Sequence, residues 1–180
     1  MNFYESLILA VALSMDALTV SFSYGSHWCG TKFLNALKFA FAFGFFQFIM
    51  PVLGWHFTGL IYSYIKLYSK IIVFLVFLFL GLKFLQEAFS KKIQDEISCI
   101  SFLCLISLAL ATSIDAFGAG VSLKLLNSSL ISSAGLIGIT TFILSFLGFI
   151  SACYLKKISS KLIEIIGAVL LIYLAFKSLF

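Results

Sequence analysis

Two aspartates, Asp16 and Asp115, stand inside long apolar runs of a chain of 180 residues that carries only seven acidic residues. Both sit in the same short pattern, for Ala12-Leu13-Ser14-Met15-Asp16-Ala17 and Ala111-Thr112-Ser113-Ile114-Asp115-Ala116 share Ala, Ser, Asp and Ala in register. An acid placed there can hold a cation, carry a proton or bond a neighbouring helix. Ionised at the centre of a bilayer it costs about 2.5 to 3.5 kcal/mol even on the lenient insertion scale, so it needs compensation. Two such charges balance one divalent cation.

The neighbours favour a cation. One turn from Asp16 lie Ala12, Thr19 and Ser23, and around Asp115 lie Ala111, Thr112, Gly118, Ala119 and Ser122. Small residues are expected to let the first and fourth spans approach closely. Both carboxylates then share one site, with the hydroxyls of Ser14, Thr19, Ser23, Thr112, Ser113 and Ser122 along the pathway. In the second span, Pro51 has no amide proton and leaves the carbonyl of Gln47 without its helical donor, so a kinked helix is expected to offer that carbonyl and the Gln47 carboxamide. Thr141 and Ser145 occupy the corresponding stretch of the fifth span. Asp16, Asp115 and Gln47 are the expected metal ligands, and an all-oxygen set suits magnesium, calcium or manganese rather than copper or zinc. Two close like charges also favour keeping a proton on one of them, which makes proton coupling a second use of the pair.

Other polar residues have local readings. Lys83 and Glu87 are four apart near the end of the third span and are expected to pair with each other or to snorkel to the interface, with gating a lesser use; Glu164 is expected to pair with Lys161. His27 and His56 beside Trp28 and Trp55 read as an interfacial aromatic belt. The four cysteines form no Cys-x-x-Cys motif and read as small apolar fillers. There is no His-Glu-x-x-His motif, phosphate loop or nucleophile with an adjacent base, so an enzyme is not expected.

The elements that position the aspartates follow from composition. With 62% apolar and 11% charged residues and a mean hydropathy of +1.16, the chain has lipid for its solvent. Its net charge of +5 comes from lysines alone and suits loops facing anionic lipid, not nucleic acid. Apolar runs near 5–24, 36–62, 70–89, 101–123, 130–155 and 162–179 are each long enough to cross hydrocarbon. All six should be helical, because lipid offers no partner for an open backbone. Asp16, about eleven residues into its span, then lies roughly 17 Å deep at 1.5 Å per residue, near the midplane.

The recurrence of the aspartate motif, with a fainter echo of Gly44-x2-Gln47-x3-Pro51-x2-Gly54 in Gly138-x2-Thr141-x3-Ser145-x2-Gly148, makes one repeat three helices. Three is odd, so the second copy enters from the opposite side. The expected fold is an all-α membrane protein, a single domain over 1–180 in which residues 1–90 and 101–180 form two inverted-topology three-helix repeats. Secondary transporters bind substrate at the midplane of such repeats.

These motifs resemble those of the MntP family of bacterial manganese exporters along nearly the whole chain. Ser14-Met15-Asp16-Ala17, Phe43-Gly44-x2-Gln47-x2-Met50-Pro51-x2-Gly54-Trp55 and Ala111-Thr112-Ser113-Ile114-Asp115-Ala116 with Gly120-Val121-Ser122 are similar to that family's signatures. The resemblance implies a bacterial plasma-membrane location, outward transport of Mn(II) and an essential role for Asp16 and Asp115. Mn(II) is then substrate, with no permanently bound cofactor. Asp115-Ala116-Phe117-Gly118-Ala119-Gly120 is also similar to the YtaF sporulation membrane proteins. Export of another divalent metal such as Cd or Ni, or a non-transporting assembly role, are the competing expectations. The expected partners are a divalent ion and the bilayer, with the chain a monomer or homodimer.

Orientation follows from the lysines. Lys32, Lys38, Lys91, Lys92, Lys156, Lys157 and Lys161 fall on one side, against Lys66, Lys70, Lys124 and Lys177 on the other, which puts both termini outside. A reporter that works only on the outer side should therefore be active when fused to either end, and activity of a cytoplasm-only reporter at both ends would reverse the assignment.

Overall fold

The computed structural model describes residues 3–27, 32–89, 102–152, 154 and 160–178. They form seven α-helices: α1 (Phe3–His27), α2 (Lys32–Ile65), α3 (Ser69–Phe89), α4 (Phe102–Thr112), α5 (Ile114–Leu125), α6 (Leu130–Ala152) and α7 (Ser160–Lys177), with a single 3-10 turn at Lys66–Tyr68. Among the described residues there is no strand. Five stretches are long and apolar enough to cross a membrane, α4 and α5 together supplying one of them, and Ile165–Lys177 of α7 is a shorter apolar helix. The protein is an all-helical, multi-pass membrane protein.

Polarity is distributed for lipid. Phe41, Phe45, Phe57, Leu60, Phe79 and Ile131 are among the large side chains facing outward, while Ser14, Gln47, Thr58, Ser113, Ser122, Thr141 and Ser145 are fully enclosed. Water could not sustain so continuous an apolar exterior. Hydrocarbon can, and it drives the hydroxyls and amide inward, where other helices supply their partners.

The helices do not stack in chain order. α1 lies along α6 and α7, α2 along α5 and α6, and α3 along α7. Two hydroxyl contacts fix the register of α1 on α6, Ser6 with Ser133 at 3.2 Å and Ser14 with Thr141 at 2.9 Å. Ser14 already donates to the Ala10 carbonyl at 2.6 Å, so the Thr141 hydroxyl is the donor of that pair. Glycines set the closest approaches. A Cβ at Gly148 would come within 3.0 Å of the Leu18 carbonyl oxygen, one at Gly54 would overlap the Phe117 carbonyl, and one at Gly120 would meet the Pro51 backbone. Leu18 and Phe117 each stand two residues beyond an aspartate.

Three expectations are corrected here. α1 makes only a narrow contact with α4 and α5, so the small residues of the first and fourth spans do not pack on each other. They are used against neighbouring helices instead, with α6 seated on α1 and α2 on α5. α2, which contains Pro51, extends beyond the expected 36–62 to Lys32–Ile65. The fourth span, expected as one helix, is broken at Ser113, where φ is −99° and ψ is 0°.

The cause of the break is local. The Ala109 carbonyl, which should accept the Ser113 amide, accepts instead the hydroxyls of Thr112 at 3.1 Å and Ser113 at 2.6 Å. The Ser113 amide shifts to the Leu110 carbonyl at 3.1 Å. Hydroxyl bonding back onto the helix thus displaces one amide and ends α4.

Glycine packing makes a stability prediction. Gly120→Leu should destabilise the folded protein by about 1 to 3 kcal/mol or more through overpacking against Pro51, whereas Gly135→Ala, whose added Cβ meets nothing within 4 Å, should be near neutral. Thermal unfolding in detergent compares the two; equal melting temperatures would refute this account of the α2–α5 contact.

Candidate functional site

The break in the fourth span puts Asp115 in the first turn of α5, where the unsatisfied amides and the positive end of the helix dipole stabilise negative charge. Its residue exposure is only 3%. α3 brings up Lys83, whose Nζ donates to Asp115 Oδ1 at 3.4 Å. The local pairing expected for Lys83 was with Glu87; the Glu87 side chain lies outside the described residues, and the partner described for Lys83 is Asp115. Only proximity across helices reveals this pair. A lysine well inside an apolar run is the signal the sequence offers for it.

Gln47 is completely enclosed and stands between the two aspartate-bearing spans. Its Nε2 donates to the Thr112 carbonyl at 3.3 Å and lies 3.5 Å from the Leu13 carbonyl. Each of those carbonyls is three residues before an aspartate. Facing two acceptors, the carboxamide must turn its NH2 toward them. Its Oε1 then points elsewhere, buried and with no hydrogen-bond donor. Such an acceptor is rare in a folded protein and carries a penalty of about 1 to 3 kcal/mol unless a donor or cation meets it.

Asp16 lies on α1, partly buried. Thr19 is buried and donates to the Met15 carbonyl at 2.9 Å, and Ser23 is partly buried. Ser122 donates to the Gly118 carbonyl at 3.2 Å. Ser14, Thr112 and Ser113 make the backbone bonds described above, and Thr141 bonds to Ser14. A hydroxyl that donates to a carbonyl keeps its own lone pairs for a cation or water. Ser145 Oγ is buried without a partner, as is Ser21 Oγ of α1, a residue the sequence motifs do not reach. Pro51 is buried against Gly120. Among the described residues no three His, Cys, Asp or Glu side chains converge on one point, so any cation here relies on carboxylate, amide, hydroxyl and carbonyl oxygen. His56 is exposed, and Trp55 is covered by the Lys124 ammonium at 4.6 Å, an arrangement suited to a helix end. His27's side chain, Trp28, Cys29, Cys99, Cys153 and the Lys161 and Glu164 side chains lie outside the described residues.

A family model described as "Putative manganese efflux pump" matches residues 30–179. The chain belongs to this family. A protein of Aliarcobacter butzleri named "Putative manganese efflux pump MntP" is 43% identical over 176 residues, covering 97% of this chain and 98% of the relative. Relatives with the same name in Methanosarcina acetivorans, 36% identical over 99% of this chain and 96% of the relative, and in Crocosphaera subtropica, 41% identical over 95% and 92%, extend the likeness through α1 and Asp16. No solved structure matches. The family likeness thus spans both aspartate motifs and Gln47.

Gln47→Leu should remove both amide contacts and, with them, the orphaned Oε1 whose similar penalty it relieves, so the variant should unfold within about 1 kcal/mol of wild type. Thermal unfolding of the purified variant measures it, and a much larger loss of stability would show that Oε1 carries no such penalty in the folded protein.

Proposed function

We propose that this protein is a secondary transporter that exports Mn(II) from the cytoplasm, binding the ion between Asp16, Asp115 and Gln47. The observation that carries the reading is Gln47. One enclosed carboxamide reaches the backbone one turn before each aspartate, while its oxygen lacks any protein donor. An enclosed oxygen without a donor is suited to a hard divalent cation, which prefers oxygen ligands and tolerates carbonyls and water in its shell. The family's printed description and the names of the relatives supply the choice of manganese.

Two inverted repeats fit this role. Support comes from the contacts: Gly54 of the second span meets the backbone two residues past Asp115, and Gly148 of the fifth meets the backbone two residues past Asp16. The Ser14 bond to Ala10 likewise has its counterpart in Ser113 and Ala109. Rocking of one such half against the other would expose the site alternately to the two faces. Coupling to protons or another ion would drive export. Its setting in this reading is the bacterial plasma membrane, and the lysine distribution favours both termini outside.

Asp16→Asn and Asp115→Asn, tested separately, should each abolish protection of an exporter-deficient bacterium against excess manganese, with protein remaining in the membrane. Growth on Cd and Ni in the same panel reports selectivity. Full protection by both variants would reject the site; loss of protein without any change in metal sensitivity would favour an assembly role for the aspartates.

A further inference from the structure

The exporter reading leaves a problem of charge. After release, an emptied site must return across the membrane through surroundings of low polarity, where an uncompensated carboxylate is costly. Lys83 stands where that charge can be met. Its Nζ is 3.4 Å from Asp115 Oδ1, with the lysine side chain 35% exposed and the aspartate side chain 1% exposed. This distance exceeds the roughly 2.7 to 2.9 Å of a tight charge-assisted bond. The lysine also has room to leave. Between α3 and α5 an open cavity of about 640 Å³, lined by Val76, Phe79, Leu80, Ile114 and Phe117, contains both Lys83 and Asp115. An ammonium on a flexible four-carbon stem, six residues before the end of α3, can swing off the carboxylate toward the membrane surface, where headgroups and water meet its charge, without moving a helix.

We propose that Lys83 is a tethered counter-ion, which occupies Asp115 when no metal is bound, yields it to the entering cation, and takes it back after release. The inference rests on the metal reading of Asp115 and adds a positioning residue from the third span. It requires only that the ammonium and the metal compete for one carboxylate. A metal-loaded carrier crosses without Lys83, whereas an empty one does not.

The test is manganese flux in vesicles containing purified protein, measured as net efflux into metal-free medium and as exchange with Mn(II) on both sides. In Lys83→Gln, Mn(II) should bind about tenfold more tightly. Net efflux should fall at least about tenfold, while exchange stays within about twofold of wild type. Lys83→Arg, which keeps the charge, should retain net efflux. Parallel loss of net efflux and exchange, or no loss of either, overturns the proposal. If Lys83→Gln does not fold, labelling of wild-type protein with an amine-reactive reagent decides the matter: modification of Lys83 should rise when Mn(II) is added, and an unchanged yield overturns the displacement. Wild-type protein that moves no Mn(II) in either mode would defeat the manganese reading and this inference with it. Wild-type exchange alongside an unsplit variant would defeat the role of Lys83 alone.

Discussion

A charge enclosed by helices and lipid must be given a partner by the protein, because hydrocarbon supplies none. Asp115 shows how the requirement is met. It receives the positive end of α5 from its own backbone and an ammonium from the third span. Neither partner alone replaces the water that a carboxylate loses on burial. Together they compensate a negative charge held inside the bundle, and the contact of the third span with the start of α5 serves that need.

The break in the fourth span follows from the same economy of partners. Thr112 and Ser113 are buried hydroxyls in an apolar setting and bond to the Ala109 carbonyl. That displaces the Ser113 amide by one residue and restarts the helix at Ile114, with Asp115 in its first turn. Ser14 makes the equivalent bond to Ala10, yet α1 continues as one helix through Asp16. The two motifs differ at Leu13 against Thr112 and at Met15 against Ile114, and only the first difference adds a hydroxyl. A single hydroxyl is tolerated by the helix, and a second on the same carbonyl accompanies its interruption.

Packing by glycine explains why the interior can hold an amide between the aspartate-bearing spans. Gly148 lets α6 seat on α1, and Gly54 with Gly120 lets α2 seat on α5. The first and fourth spans are thereby held by their flanking helices instead of by each other, leaving the narrow interval that Gln47 crosses. Larger residues at those glycines would push the flanking helices outward and uncouple the carboxamide from one carbonyl or the other.

The sequence by itself determined the solvent, the helical class and the residues of interest, since hydropathy, span length and the cost of an intramembrane acid are properties of local segments. Asp16, Asp115, Gln47, Thr141 and Ser145 could be found because each departs from the apolar run around it, and the repeated motif linked the first to the second. Partners across helices were a different matter. Small residues marked the faces that pack, but nothing local states which helix a face meets, so the expected contact of the first and fourth spans gave way to α1 on α6 and α2 on α5. Spacing along one helix points Lys83 to Glu87, because that spacing is visible in the chain and distance between helices is not. Only the tertiary structure joined it to Asp115, and only there did the buried oxygen of Gln47 lose its donors.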